Sequence, residues 1–433
     1  MKVKQTNFRW WLAVLMFLIG FISYMDRVNL SVATPAIMSE FAFSKIDMGF
    51  MQTAFFVGYS AMQIPGGIMA ELLGHRIVVT ASVAWWSLFT VLTATTSSFT
   101  SFAVVRCLFG LGEGPVYPAM ANCIYRWFNR AEKGFASSFM LSGAFIGPVF
   151  GPAITVVLML AFGWRSVFII FGAVGVLIAF AWYFLAAKSP RDSRFVNAAE
   201  LAHIEGGNAV TEQTTELAPW RNFMSSPQFW AIGIQYFITD YIMYVFLAWL
   251  PLYLMEAQQF SLQKMGIAAA FPWAAICIIS LCTGFLSDKL VASGVSKHKA
   301  RTWFGASGLA ICFITLYLGA VASTPWLNVF WLTLSLGSLG FTFSASWAAC
   351  TDIGGKFSGS VSGWMNFCGN VGGVLAPICT AWIANNYGWQ SAIVVTAFTA
   401  IIGIVAWLAV KPDREIVPTN SIPVIDTVAV EPR

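Results

Sequence analysis

Charged side chains are scarce in this sequence. Asp, Glu, Lys and Arg make up 10% of its 433 residues, against roughly 25% in an ordinary soluble domain. Hydrophobic residues make up 58%. So few charges cannot cover a water-exposed surface of the size this chain would need. Lipid is therefore the expected solvent of most of the folded chain, and a soluble globular protein is excluded.

Residues that carry enzymatic chemistry are also scarce. The three histidines, His75, His203 and His298, fall in polar loops without metal-ligand spacing. The sequence has no Ser-His-Asp set and no phosphate-binding glycine loop. Its eight cysteines are scattered without the paired spacing of metal sites or disulfide frameworks. We therefore expect no enzymatic activity, no metal and no organic cofactor.

Long apolar runs are what the sequence has in abundance. Twelve of them are long enough to cross the roughly 30 Å hydrocarbon core of a bilayer. The first run is too long for a cleavable signal peptide and lacks a small-residue cleavage site, so it should remain in the protein. The expected spans are 10–32, 48–70, 77–98, 101–125, 135–160, 164–187, 229–255, 265–288, 302–323, 326–350, 359–384 and 388–410.

The distribution of Lys and Arg predicts the orientation of these spans. Most of the 24 Lys and Arg residues lie in loops on the side of the two termini, whereas the opposite loops hold Lys45, Arg165 and Lys264. Positive loops are retained in the cytoplasm. Both termini are thus expected in the cytoplasm. The net charge of +5 then reports topology and gives no reason to expect nucleic acid as a partner.

The chain divides at one long polar stretch. We expect an N-terminal six-helix bundle over 1–187, a cytoplasmic linker over 188–228 with a short helix around "NAAELAHI", a C-terminal six-helix bundle over 229–410, and a cytoplasmic tail over 411–433. The halves resemble each other, with Gly-Trp pairs beginning at residues 163 and 388. Such duplication is typical of transporters with a site at the interface of two repeats. The predicted fold is an all-α polytopic membrane protein of twelve transmembrane helices in two pseudosymmetric bundles.

Five charged residues fall inside the predicted spans: Asp26, Arg27, Arg106, Glu113 and Asp240. A charge at the bilayer centre costs at least about 2.5 kcal/mol and usually faces a cavity or a partner. Arg106 and Glu113 are seven residues apart, which puts them on one helix face. Buried ion pairs that only join helices are the alternative, but such pairs stabilise weakly because desolvation offsets their attraction. A functional role is favoured.

The glycines around Glu113 predict a close contact between helices. Gly110, Gly112 and Gly114 should let a neighbouring helix pack closely. Pro115 should loosen the backbone hydrogen bonds next to the acid.

Several motifs resemble those of the major facilitator superfamily. "GGIMAELLGHR" (66–76) resembles its conserved cytoplasmic loop, although Glu71 and Leu72 stand where the family has an Asp-Arg pair. "YMDRVNLSVATPAI", "GYSAMQIPGG", "RCLFGLGEGPVYPA" and "YFITDYIMYVFLAWLPLYL" resemble the anion:cation symporter branch. That branch includes bacterial galactonate, glucarate and hexuronate permeases and, more distantly, sialin and the vesicular glutamate transporters.

The resemblance implies a monomeric, proton-coupled symporter of the bacterial inner membrane that imports a small organic anion by alternating access. A sugar acid (a hexuronate, aldonate or aldarate) is the implied cargo. Asp26 and Glu113 would be the proton-binding carboxylates and Arg106 the partner that tunes them. Arg27 would meet the substrate carboxylate. The remaining substrate-site residues would be Tyr24, Tyr59, Ser344, Ser346, Trp347 and Asn366.

Two departures from these relatives leave the cargo open. Ala144 stands where galactonate-specific permeases carry a glutamine, which removes one donor for hydroxyl groups. Asp240 replaces an amide often seen in glucarate permeases, and it either joins the substrate site or caps a kink or faces water. An importer of an aromatic carboxylate is therefore an alternative.

Two further readings compete with a symporter. "GAFIGPVFGP" (143–152) approaches the span-five pattern of proton-coupled drug antiporters. Arg27 and Arg106 argue against a cationic cargo, because they would repel it. A receptor-like sensor that binds the anion without carrying it also stays open.

Overall fold

Long α-helices form nearly all the regular structure of the chain, as seen in a computed structural model that describes residues 5–129, 132–206 and 219–417. Helices follow from the composition, because only helices satisfy their own backbone hydrogen bonds in lipid within one segment. The middle of the predicted linker (207–218) and the predicted tail from residue 418 onward lie outside the described residues. The helices are α1 (Arg9–Phe41), α2 (Lys45–Leu73), α3 (His75–Thr93), α4 (Phe99–Glu113), α5 (Val116–Trp127), α6 (Lys133–Phe162), α7 (Trp164–Leu185), α8 (Ala198–Gly206), α9 (Trp220–Met224), α10 (Pro227–Glu256), α11 (Leu262–Ala268), α12 (Ala270–Ala292), α13 (Phe304–Ala320), α14 (Pro325–Gly354) and α15 (Ser358–Ala409).

The helices follow the twelve expected spans in order. Nine of them within the described ranges are long and apolar enough to cross a membrane. One of the nine, α15, contains the last two expected spans, which are divided at Gly388 by a left-handed backbone with φ of 83°. The two other expected spans correspond to α2 and to the pair α4 and α5. The expected ends were less accurate: α1 continues past residue 32 to Phe41.

The packing of the helices divides at the linker. In the first half α1 packs on α6, α2 on α4 and α3 on α7, and in the second half α10 packs on α15 and both α12 and α13 on α14. Between the halves, α2 meets α15, α6 meets α12 and α1 meets α10. We call the end of the molecule where α1 begins the terminal face, and the end where α1 finishes and α2 begins the opposite face. The exact domain boundaries stay a prediction.

The two Gly-Trp pairs occupy equivalent places in the halves. Gly163 and Gly388 both have the positive φ that glycine adopts without strain, 79° and 83°. Each is followed by a tryptophan whose Nε1 donates to a glutamate at the end of the first helix of its half. Trp164 bonds Glu40 at 2.8 Å, and Trp389 bonds Glu256 at 2.8 Å. The internal resemblance of the sequence is therefore a structural repeat.

The short linker helix predicted around "NAAELAHI" is confirmed as α8, and it packs against the terminal face of the first half. Glu200 accepts hydrogen bonds from the backbone N–H groups of Phe8 and Arg9, at 2.8 and 3.0 Å. These are unpaired donors at the start of α1, so Glu200 caps that helix. Arg9 also joins Glu132, which accepts from its Nε and Nη2 at 2.9 and 2.8 Å. The linker is thereby fixed to the first half.

Candidate functional site

Arg27 and Glu113 form a buried ion pair in the middle of the first half. One carboxylate oxygen of Glu113, Oε1, accepts from Arg27 Nε at 3.0 Å and from Nη2 at 2.8 Å. The hydroxyl of Ser23, one turn before Arg27 on α1, also donates to Oε1. In the part of the chain that the structure describes, Arg27 Nη1 and Glu113 Oε2 have no hydrogen-bond partner. Arg27 and Glu113 therefore each keep one polar atom that can bind a ligand or a proton.

The fourth expected span is divided directly after Glu113. Helix α4 ends at Glu113, and α5 begins at Val116 after Pro115. The expected effect of Pro115 on the backbone beside the acid is thus seen as a helix end. Proline lacks the N–H that would continue the helix ladder.

Glycines bring α2 and α4 unusually close together. A Cβ on Gly110 would lie 2.1 Å from the carbonyl oxygen of Phe55, and one on Gly58 would lie 2.1 Å from that of Cys107. No larger residue fits at either place without moving a backbone. The close approach predicted from the glycines of span four is confirmed, and it holds the aromatic residues of α2 against the charged residues of α4.

Aromatic rings surround the Arg27 guanidinium. Its central carbon lies 4.5 Å from the ring centre of Tyr24, 4.8 Å from that of Phe55 and 4.7 Å from that of Tyr59. Cation–π contacts at such distances stabilise a desolvated arginine by about 2 kcal/mol or more. Tyr24 and Tyr59, both expected at the site, are therefore beside Arg27.

Arg106 differs from its expected place in the pairing. We expected it to be the partner of Asp26 and Glu113, but the ion pair of Glu113 is with Arg27. Arg106 instead stacks over Phe109 and Phe55, at 4.5 and 5.3 Å, and its Nε has no hydrogen-bond partner. The rise along α4 from Arg106 to Glu113 is about 10 Å, whereas Arg27 of α1 lies within hydrogen-bond distance of Glu113.

Asp26 is buried close to Glu113 and Arg106, but in the described part of the chain it forms no direct ion pair. Glu113 and Arg106 are the charged groups that act on its carboxyl. Oδ1 accepts a long bond of 3.4 Å from Asn29, the side chains of Thr90 and Trp86 lie close to the carboxyl, and within the described residues Oδ2 accepts no hydrogen bond. Asp26 thus lies in the same cluster as Arg106 and Glu113, as expected, with an oxygen left open.

Asp240 reaches the same cluster from the second half. It is buried on α10, one of its oxygens has no hydrogen-bond partner, and the charged group acting on it is Arg27. Among the described residues no backbone N–H donates to this free oxygen. The structure therefore places Asp240 with the site residues.

A small cavity lies beside the two arginines on the side of the opposite face. Helices α1, α2, α4 and α10 provide its walls, so both halves contribute. Its lining residues are Arg27, Leu30, Ser31, Gln52, Phe55, Phe56, Arg106, Tyr244, Leu247 and Ala248.

The remaining expected residues are not gathered around Arg27. Ser344 donates to the carbonyl oxygen of Ser280 at 2.6 Å, and Ser346 donates to that of Thr342 at 2.7 Å. Both hydroxyl protons are therefore used inside the second half. Serine in a helix commonly bonds the carbonyl of the preceding turn, and the sequence pattern does not distinguish that use from substrate binding.

Trp347 and Asn366 lie nearer to the interface of the halves. Trp347 Nε1 donates to the hydroxyl of Tyr236 at 3.2 Å, and its side chain is half exposed. Asn366 Nδ2 donates to Gln63 Oε1 at 3.1 Å across the two halves. The contact therefore joins α15 of the second half to α2 of the first.

Several residues around the centre were not expected from the sequence. Ser23 and Phe55 contact the ion pair, and Tyr117 has a buried hydroxyl without a partner. Gln52 lines the cavity and reaches the carbonyl oxygen of Ala248 at 3.4 Å. Helical spacing offered one signal, since Ser23 is four residues before Arg27 and Phe55 four before Tyr59. Uncharged residues in an apolar helix give no other indication.

The cluster as a whole can bind an anion and exchange protons. It holds two guanidiniums and three carboxyls away from water, and within the described residues each of the five has an unpartnered atom: Arg27 Nη1, Arg106 Nε, Glu113 Oε2, Asp26 Oδ2 and Asp240 Oδ1. Leaving a buried polar atom unpaired costs about 1–3 kcal/mol. Such atoms persist where a ligand or a proton satisfies them. This fold and this cluster define a polytopic membrane transporter.

Comparison with known proteins gives the family. The chain belongs to the major facilitator superfamily, whose model matches residues 16–377 and 358–431. Its fold is that of this superfamily, and it is a transporter rather than an enzyme. A bacterial homologue of the human lysosomal transporter Spinster, solved in an inward-facing and unoccupied conformation, superimposes with a TM-score of 0.78 over 94% of this chain and 98% of its own, at 18% identity.

Relatives of known name are anion transporters. An ascorbate transporter of chloroplasts from Arabidopsis thaliana is 32% identical over 93% of this chain and 75% of its own length. A probable L-galactonate transporter from Escherichia coli is 27% identical over 91% of this chain and 87% of its own length. The resemblance to galactonate permeases noted from the motifs is therefore confirmed.

Proposed function

We propose that this protein imports a small organic anion, and most specifically a sugar acid such as an aldonate, aldarate or hexuronate, together with protons. The observation that carries the proposal is the divided use of Arg27: two of its nitrogens hold Glu113 and the third, Nη1, is buried without a partner. A guanidinium can bind a carboxylate with two parallel hydrogen bonds. An entering anion therefore competes with Glu113 for Arg27.

This competition couples the anion to protons. When the anion takes Arg27, Glu113 loses its counter-ion in a region without water, and binding a proton becomes the less costly way to remain there. Asp26, which lies beside Arg106, is the second carboxyl that can accept a proton. By linkage, protonation strengthens anion binding by the same factor as the anion strengthens protonation.

Transport needs the cluster to face the two sides of the membrane in turn. The halves are joined near the opposite face by Ser31 to Leu247 at 2.6 Å and by Thr53 to Val374 at 2.8 Å. Rocking of the halves about the central cluster would break these contacts and open that face. We propose that the protein works as a monomer in the bacterial inner membrane with both termini in the cytoplasm, in line with its positive loops.

The test is uptake into proteoliposomes that contain the purified protein. Radiolabelled galactonate, glucarate and glucuronate are offered under an inward proton gradient, and a protonophore that collapses the gradient is the control. Uptake of at least one sugar acid that stops with the protonophore is the expected result. Efflux of lipophilic cations without sugar-acid uptake would contradict the proposal and favour a drug antiporter.

An aromatic carboxylate is a second candidate, because Phe55, Phe56 and Tyr244 line the cavity and Ala144 provides no donor for hydroxyl groups. Benzoate and hydroxybenzoates therefore join the sugar acids in the same assay. Uptake of an aromatic acid alone would keep the anion symporter and change its cargo.

A further inference from the structure

Asp240 of the second half lies at the same depth in the molecule as the residues around Arg27. The repeat relates Glu40 at the end of α1 to Glu256 at the end of α10 through their matching tryptophan bonds. Counting back sixteen residues from each leads to Tyr24 and to Asp240. The two residues therefore lie at the same depth, and Tyr24 is in contact with the Arg27 guanidinium.

Within the described residues, no side chain forms an ion pair with Asp240. One oxygen, Oδ2, is pressed against Gly369 of α15, where a Cβ would lie 2.2 Å away, and the other has no hydrogen bond. Arg27 is the charged group acting on it. The other titratable groups that interact electrostatically with Asp240 are phenols from α1, α2 and α10: Tyr24, Tyr59, Tyr236 and Tyr244.

Arg27 is consequently the positive charge that stabilises two carboxyls, one from each half. Glu113 accepts hydrogen bonds from its Nε and Nη2, and Asp240 of the second half interacts with its charge at longer range. An anion that takes Arg27 deprives both carboxyls of their counter-ion at once. Asp26 keeps the charge of Arg106 as its neighbour, so it is affected less.

We propose that Asp240 is a third proton acceptor of the central site, which binds one proton at its free oxygen when the anion takes Arg27 and releases it on the other side of the membrane. With all groups ionised, three carboxyls against two guanidiniums leave the empty site with one negative charge. A bound monoanion brings this to two, so two protons make the loaded site neutral. With an amide at position 240, one proton suffices.

A neutral loaded site matters because charge is costly in a water-free interior. Asp240 thereby determines how many protons drive each anion, and with them whether uptake of a monoanion carries net positive charge. This inference rests on the proposed function for its transport consequence. Its statement about Asp240 itself can be tested without any substrate.

The transport test measures the number of protons per anion. Proteoliposomes receive galactonate, a monoanion, on both sides, and net flux is recorded against imposed membrane potentials and pH gradients. The condition of zero flux gives the ratio and does not depend on the rate. We expect two protons per galactonate for the wild type, one for Asp240→Asn, and two for the matched variant Asp240→Glu. An unchanged ratio in Asp240→Asn would overturn the proposal.

The substrate-free test uses infrared difference spectra of the purified protein between acidic and alkaline pH. Asp240→Asn should lose one protonated-carboxyl band that the wild type and Asp240→Glu retain, while Asp26→Asn and Glu113→Gln identify the bands of the other acids. A spectrum of Asp240→Asn with every wild-type band present would refute the assignment. Asp240→Ser replaces the asparagine variant if the latter does not fold.

The two tests separate the two proposals. If the wild type carries no sugar acid or aromatic acid, the proposed function fails, and the infrared spectra still decide whether Asp240 binds a proton. If transport is proton-driven but the ratio is the same in all three proteins, the function stands and the inference on Asp240 fails.

Discussion

Lys45 and Glu256 join the two halves at the opposite face, with Nζ and Oε2 2.9 Å apart. The related glutamate of the first half, Glu40, is paired with Arg165 of its own half at 2.7 Å. The two equivalent carboxylates, Glu40 and Glu256, thus form different kinds of ion pair. One ion pair lies within a half, and the other crosses the interface that must open.

This difference predicts a shift in conformation. Lys45→Gln removes an inter-half ion pair, and because such partly exposed pairs contribute about 0.2–1 kcal/mol, the population with the opposite face open should rise up to about fivefold. Arg165→Gln is the matched control and should leave that population unchanged. Distances between spin labels at residues 43 and 258 measure the opening. Equal shifts in both variants would contradict the assignment of Lys45 as an inter-half contact.

The central ion pair predicts a rescue. Arg27→Gln leaves Glu113 buried without its counter-ion, which should lower the free energy of unfolding by about 3–5 kcal/mol. The double variant Arg27→Gln/Glu113→Gln removes both charges and should recover much of this loss in thermal melts. It should not recover anion uptake, because the guanidinium is absent. A double variant as unstable as Arg27→Gln would show that Arg27 stabilises through its aromatic contacts instead.

The two carboxyls of the first half have separate consequences for coupling. In Asp26→Asn and Glu113→Gln we expect proton-driven uptake to fall, because each amide removes one of the three carboxyls that can bind a proton. Anion binding should be retained, as should exchange of labelled for unlabelled anion without a gradient. Asp192→Asn and Glu205→Gln, on the exposed part of the linker, are matched controls. Normal proton-driven uptake by both central variants would refute the carboxylate mechanism.

The attachment of the linker should depend on pH. Bonds from Arg9 hold the pKa of Glu132 below its ordinary value of 4.5. Burial alone raises the pKa of Glu200, but the bonds from Thr6 and from the N–H groups of Arg9 and Phe8 outweigh burial and keep it lowered as well. Lowered folded-state pKa values mean that this stability is present above pH 4.5 and is lost as the pH falls through the folded values.

Glu200→Gln tests this attachment. Hydrogen bonds to a charged group contribute about 1.5–3 kcal/mol, so the variant should lose about 2 kcal/mol near neutral pH and little at strongly acidic pH. Thermal melts across this range measure the difference. Glu205→Gln, whose ion pair with Arg191 is exposed, should behave like the wild type. A Glu200→Gln deficit that persists unchanged in acid would mean that shape rather than charge fixes α8.

The sequence by itself determined the architecture, because apolar runs, positive loops and Gly-Trp pairs are local patterns with one physical meaning each. It also identified the five buried charges, since charge in an apolar helix is conspicuous. The sequence could not show which of these charges form ion pairs with one another. Which arginine meets Glu113 depends on how α1 packs beside α4, and that is a relation between helices.

Only the tertiary structure decided that Arg27 faces Glu113 from one half and Asp240 from the other. The serines show the same limit: Ser344 and Ser346 looked equivalent to site residues, and their hydroxyls bond backbone carbonyls instead. Along a single helix every position is defined by spacing alone. A charge acquires its partner, and a hydroxyl its role, only from the neighbouring helix that it faces.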